Sequence, residues 1–243
     1  MNERPDNEGL EVTLVDPAAP GDAPEAPAEV RVSTFRLVAT LAVAGALAGL
    51  LIVLVNLHTK PIIDEYRAEQ LRLAVYEVLP GVANYRTLYR VDDVLVSEVP
   101  AGAKESDFRQ AYVGYDEDGE LVGAAVSRGE SGFADVVLVI FGFEPDTGIL
   151  LGKKVLESKE TPGLGDKIFK DLDFVQQFFD RPQTPLKAVK EGTGKGLPDE
   201  IDAITGATIS SKVVVSIINN GVADWQPLLQ QTDLGPVTPE EAP

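Results

Sequence analysis

The segment Leu37–Leu57, LVATLAVAGALAGLLIVLVNL, restricts this chain more than any other, because it runs for 21 residues without a charge. As a helix rising about 1.5 Å per residue it reaches about 30 Å, the thickness of a bilayer's hydrocarbon core. It is too long for the apolar region of a signal peptide, and no A-x-A cleavage pattern follows it. The segment therefore predicts one uncleaved transmembrane helix over residues 35–58. Gly45 and Gly49 form a small-xxx-small pair that lets another helix approach closely. Arg31 and Arg36 precede the run, and Lys60, Arg67 and Arg72 follow it. The positive-inside rule thus gives no orientation.

The sequence on either side of this anchor divides cleanly. Residues 1–34 are rich in Pro, Ala, Asp and Glu and cannot bury enough apolar surface to offset chain entropy, so a disordered tail is expected. Residues 59–84 carry a helical apolar pattern (Ile62, Ile63, Tyr66, Leu73, Val75, Tyr76, Val78) ended by Pro80-Gly81, as in a stalk helix and connection. Residues 85–226 form the expected soluble domain, and 227–243 a second disordered tail. Within the domain, Tyr112–Tyr115 and Glu120–Val126 flank the turn Asp116-Glu-Asp-Gly119, a hairpin signal. Ala134–Phe141 is a strongly apolar run and reads as a central strand. A short helix is expected near Asp171–Phe179, a strand at Leu186–Lys190 and a last helix after Thr208. The fold class is α+β: an antiparallel sheet with flanking helices behind a single membrane helix.

Composition removes several function classes. The net charge of −18, with no basic stripe, argues against nucleic acid. The absence of cysteine excludes disulfides, thiolate zinc, iron–sulfur clusters and a lipoprotein anchor. The single histidine, His58, excludes multi-histidine metal and haem sites and reads as an interfacial residue at the end of the apolar run. No metal site and no catalytic constellation are expected. Gly192-Thr-Gly-Lys-Gly196 does not match a phosphate-binding P-loop, and no helix opens after it, so a surface loop is the better reading.

Two segments remain. Glu157–Ile168 contains Thr161-Pro-Gly-Leu-Gly165, a compact turn whose glycines permit close backbone approach; an ordinary strand-to-helix connection is the competing reading. Asp202–Lys212 places Thr205, Thr208, Ser210 and Ser211 at the start of a helix, where free N–H groups and the helix dipole favour an anion. Gly206 and Ala207 leave a phosphate room to reach the main chain. The competing reading is a plain N-cap, which Ser and Thr also favour.

Together these segments resemble a known family. Thr205-Gly-Ala-Thr208, in the frame Asp202-Ala-Ile-Thr-Gly-Ala-Thr-Ile-Ser-Ser211, is similar to the S/T-G-A-T flavinylation motif of the FMN-binding domain in the G subunit of Rnf-type ion-translocating electron transport complexes. Lys159–Ile168 resembles that protein's other signature, and the likeness spans residues 35–225. The C subunit of the sodium-translocating NADH:quinone reductase is a sister family and the alternative assignment; a membrane-anchored FMN-binding sensory or interaction module is a third. The resemblance implies an electron-transfer subunit whose FMN is esterified to Thr208. It implies that a flavin transferase using FAD and magnesium recognises Asp202, Thr205, Gly206 and Ala207. It implies that Glu160, Thr161, Gly163 and Leu164 flank the flavin ring and that other membrane subunits are the partners; Ser210 and Ser211 are expected in the cofactor site from their hydroxyls at the helix start. It also implies a cytoplasmic (inner) membrane location with the FMN domain on the periplasmic side. Ser158 stands where this resemblance leads one to expect a histidine, and the acidic tail is longer than it suggests.

Overall fold

The computed structural model describes residues 33–179, 181 and 185–235. Apart from Ser33 and Thr34, the expected N-terminal tail lies outside the described residues, as do residues 236–243. The chain divides into two units, one up to Thr59 and one from Lys60 onward.

Helix α1 covers Thr34–Val78 without interruption. Pro61 lies inside it; lacking an N–H, Pro61 leaves the Leu57 carbonyl without its usual donor but does not end the helix. The apolar part of α1 is long and apolar enough to cross a membrane, and none of it is buried against protein. The expected stalk is thus the C-terminal part of the same helix.

The second unit is built on a six-stranded antiparallel sheet: β1 (Asn84–Val91), β2 (Val94–Val96), β3 (Arg109–Tyr115), β4 (Leu121–Ser131), β5 (Val136–Phe143) and β6 (Leu150–Glu157), ordered β2-β1-β3-β4-β5-β6. The Asp-Gly hairpin joins β3 to β4 as expected, with Asp116 Oδ1 accepting from the N–H groups of Asp118 and Glu120. β5 is the penultimate strand, and its continuous apolar run has a different cause from the central position expected. Both faces of the sheet are covered there. Val137, Val139, Phe141 and Phe143 point into the core beneath the last helix, and Ile140 points into a second cluster with Ala74, Val75, Val78 and Leu79 at the end of α1. At Gly142 a side chain is excluded outright, since a Cβ would collide with the Val78 carbonyl.

After β6 come α2 (Lys167–Lys170), α3 (Leu172–Gln176), β7 (Lys187–Lys190), β8 (Glu200–Ala203) and α4 (Thr208–Gln231). Asp171 caps α3 by accepting from the N–H groups of Asp173 and Phe174. β7 and β8 pair in parallel as a separate two-stranded sheet, which the antiparallel expectation did not include. The Gly192–Gly196 segment is the exposed connection between them. α4 presents Val214, Ile217, Ile218, Gly221, Val222 and Trp225 to the sheet and runs on through Pro227 to Gln231, past the expected domain end at 226. Leu229 is fully buried, so packing continues where a tail was expected.

Lys153 of β6 is an exception inside this core, at 1% exposure. Its side-chain nitrogen donates to the Ile168 carbonyl at 2.7 Å and lies over the rings of Phe174 and Phe178, tying α2 and α3 to the sheet. Burial pushes its pKa down to about 7.

Two outcomes follow. Gly142→Ala should cost about 3 kcal/mol or more in a urea melt, because the obstructing atom is backbone and α1 must shift. Between pH 7 and the ordinary lysine value of 10.5, the unfolded chain holds the Lys153 proton and the folded chain does not. Stability should therefore rise with pH across that window, by on the order of 5 kcal/mol at about 1.4 kcal/mol per pH unit. Lys153→Met should flatten that rise in melts taken near pH 7 and near pH 10.

Candidate functional site

Three connections meet at the start of α4: the β4–β5 loop around Phe133, the β6–α2 loop Glu160–Gly165, and the β8–α4 turn Thr205–Ala207. Between them lies an open cleft of about 330 Å³.

The β6–α2 loop is held from within. The Thr161 carbonyl accepts from the N–H groups of Leu164 and Asp166. Asp166 accepts from the Gly163 N–H at 2.7 Å and pairs with Lys170 at 2.6 Å; the Lys170 hydrogen bond holds its carboxyl below the usual carboxylate range. Gly165 has a steric reason to be glycine, because a Cβ there would lie 2.6 Å from Glu160 Oε2.

Glu160 is the point where the three connections join. Its Oε2 accepts from the Ser210 hydroxyl at 2.5 Å, and its Oε1 accepts from the Ala134 N–H at 3.0 Å. The residue is 5% exposed. Burial pushes its pKa upward, but the hydrogen bonds from Ser210 and from the backbone around Phe133, Ala134 and Asp135 outweigh that, and the carboxyl sits below its ordinary value.

The helix start differs from the plain N-cap reading. The N-cap residue is Ala207, which has no capping side chain. Gly206 takes φ +84°, a conformation that other residues rarely adopt, and this sharp turn sends the chain from β8 into α4. The N–H groups of Thr208, Ile209 and Ser210 have no acceptor among the described residues. That leaves a helix of 24 residues with its first donors free, as an anion would require.

The four hydroxyls of this run have separate fates. Thr205 donates to Glu191, Ser210 to Glu160, and Ser211 to the Ala207 carbonyl at 2.9 Å while accepting from the Ile204 N–H at 3.1 Å. Only the Thr208 hydroxyl has no partner among the described residues, and Thr208 is exposed on the cleft.

Of the residues singled out in the sequence, Glu160, Thr161, Leu164, Gly206, Ala207, Thr208 and Ser210 come together around the cleft. Thr205, Gly163 and Ser211 do not line it; Ser211 is fully buried and serves to hold the turn. Asp202 lies outside the cleft, exposed on β8 beside Gln177, whose side-chain oxygen accepts the Asp202 N–H at 2.7 Å. Sequence reasoning missed Phe133 and Ile209, which line the cleft and are 68% and 52% exposed. The one signal available was that both are large apolar residues close to turn residues.

A family described as the FMN-binding domain matches residues 132–223, a range that takes in all three connections. The G subunit of the Na(+)-translocating ferredoxin:NAD(+) oxidoreductase complex of Acetobacterium woodii is 33% identical over 198 residues, covering 80% of this chain and 92% of the relative. The G subunit of the ion-translocating oxidoreductase complex of Methanosarcina acetivorans is 31% identical, covering 77% and 92%. Among solved structures, NqrC of Shewanella oneidensis shares the fold, with a TM-score of 0.55 at 17% identity over 67% of this chain and 98% of that one. Spanning nearly the whole length of relatives at this level of identity, this chain belongs to the G-subunit family of ion-translocating oxidoreductase complexes.

Proposed function

We propose that this protein is the electron-transfer subunit of a membrane-bound ion-translocating oxidoreductase complex, relaying electrons through an FMN esterified by its phosphate to the Thr208 hydroxyl. The observation that carries this reading is the state of the α4 start: an unpartnered hydroxyl beside three backbone N–H groups without acceptors among the described residues.

The residues fit such a group. The N–H groups of Thr208, Ile209 and Ser210 can receive the phosphodiester charge, with the helix dipole behind them. Phe133, Leu164 and Ile209 offer exposed apolar walls for a flat aromatic ring. When bound, FMN supplies the redox chemistry; the protein supplies position and field. An ester to Thr208 keeps the cofactor from dissociating although the cleft is open to solvent. The cleft can then face another carrier and needs no substrate pocket of its own.

Asp202 has a different part in this scheme. It is exposed on β8, outside the cleft, where a flavin transferase that recognises the Asp202–Thr208 frame can reach it. We assign the domain to the periplasmic side of the cytoplasmic membrane, with α1 as its single anchor and other membrane subunits as its partners. Assignment as the C subunit of a sodium-translocating quinone reductase rests on the shared fold at 17% identity, against 33% for the Acetobacterium woodii relative.

Thr208→Ala should abolish flavin fluorescence from the protein band on a denaturing gel; a band that still fluoresces would refute the ester assignment. Replacing both Gly45 and Gly49 with Leu should lower recovery of the assembled complex while leaving flavin attachment unchanged, as measured by co-purification of neighbouring subunits. Undiminished co-purification would remove the helix-packing role.

A further inference from the structure

Glu160 is the only ionisable side chain lining the cleft among the described residues. It has no ion-pair partner among them. Of the cations close by in the chain, Lys159 pairs with Asp135 at 3.1 Å and Lys170 with Asp166 at 2.6 Å, while Lys167 and Lys212 make no ion pair with Glu160. Its charge is held entirely by neutral donors, namely the Ser210 hydroxyl and the backbone N–H groups around Ala134. Neutral donors stabilise a carboxylate without cancelling its charge, so a fixed negative charge remains on the wall of the cleft.

We propose that Glu160 is the fixed negative charge that holds down the reduction potential of the flavin in this cleft. The inference rests on the reading that FMN occupies the cleft. Adding an electron to any group there brings negative charge towards an uncompensated carboxylate, and because that carboxylate is itself buried, at 5% exposure, water screens the opposition less. Glu160 is positioned for this by both of its oxygens, one fixed to α4 and the other to the β4–β5 loop, so it cannot swing away when the flavin is reduced. A purely structural role would need only the hydrogen bonds and would be indifferent to the charge.

The test is the midpoint potential of the flavin, read by spectroelectrochemical titration of full-length protein, with flavin content checked by mass. Glu160→Gln removes the charge at nearly constant shape. It should favour reduction at least tenfold, which for a two-electron couple is about 30 mV upward. Glu160→Asp keeps the charge and should stay near the wild-type potential, although its melting temperature falls. Glu160→Ala repeats the neutral arm should the glutamine variant not fold. Neutral variants that carry flavin at the wild-type potential would overturn the proposal and leave Glu160 a structural residue only. A wild type without esterified flavin would instead overturn the Thr208 assignment. The same potentials would then be read on reversibly bound FMN, with the same sign expected.

Discussion

The Glu160 carboxylate bonded to Ser210 is the interaction on which the site depends. It joins the first turn of α4 to the β6–α2 loop, and through the Ala134 N–H it joins both to the β4–β5 loop. Hydrogen bonds to a charged group are worth about 1.5–3 kcal/mol each, and a buried carboxylate without them would be strongly unfavourable. The three connections are thus fixed to one another by a group that cannot be satisfied unless all three are in place. Gly165 is part of the same arrangement, because any side chain there would occupy the carboxylate's position. The cleft is the space left between these loops.

The sheet supplies the rigidity behind them. α4 covers one face and the last turns of α1 cover the other, so β4 and β5 are packed on both sides. The helix that bears the apolar membrane segment is therefore the same helix that completes the domain's second core. Lys153, tying α2 and α3 to β6, holds the far end of the β6–α2 loop. The loops that carry the site each spring from an element packed into one of these cores.

Much of this is legible in the sequence, and the exceptions have physical causes. The apolar run, the Asp-Gly hairpin and the helix opening at Thr208 are all readable because each is a local pattern. The apolar run in β5 reads as a central strand, whereas coverage of both faces is what makes it apolar. The parallel pairing of β7 with β8 has no local signature. Neither does the continuation of α4 beyond residue 226, through Pro227 to Gln231, which goes with the burial of Leu229. At the site, local physics cannot choose between a phosphate and an N-cap. The distinction lies in where each hydroxyl points: Ser210 and Ser211 turn inward to protein acceptors, Ala207 takes the cap position, and Thr208 has no partner among the described residues. Resemblance favours Thr208, and the geometry supplies a physical reason for that choice. Phe133 gives only a weak local signal, as an apolar residue near turn residues, and its place in the cleft depends on a loop that is distant along the chain from Thr208.

The central claim is that one hydroxyl of four is the attachment point. Tryptic digestion of the native protein releases the peptide 196–212, which contains Thr205, Thr208, Ser210 and Ser211 together. Fragmentation of that peptide by mass spectrometry should place the FMN phosphate on Thr208 alone. An unmodified peptide, or a flavin on Thr205, Ser210 or Ser211, would contradict the account.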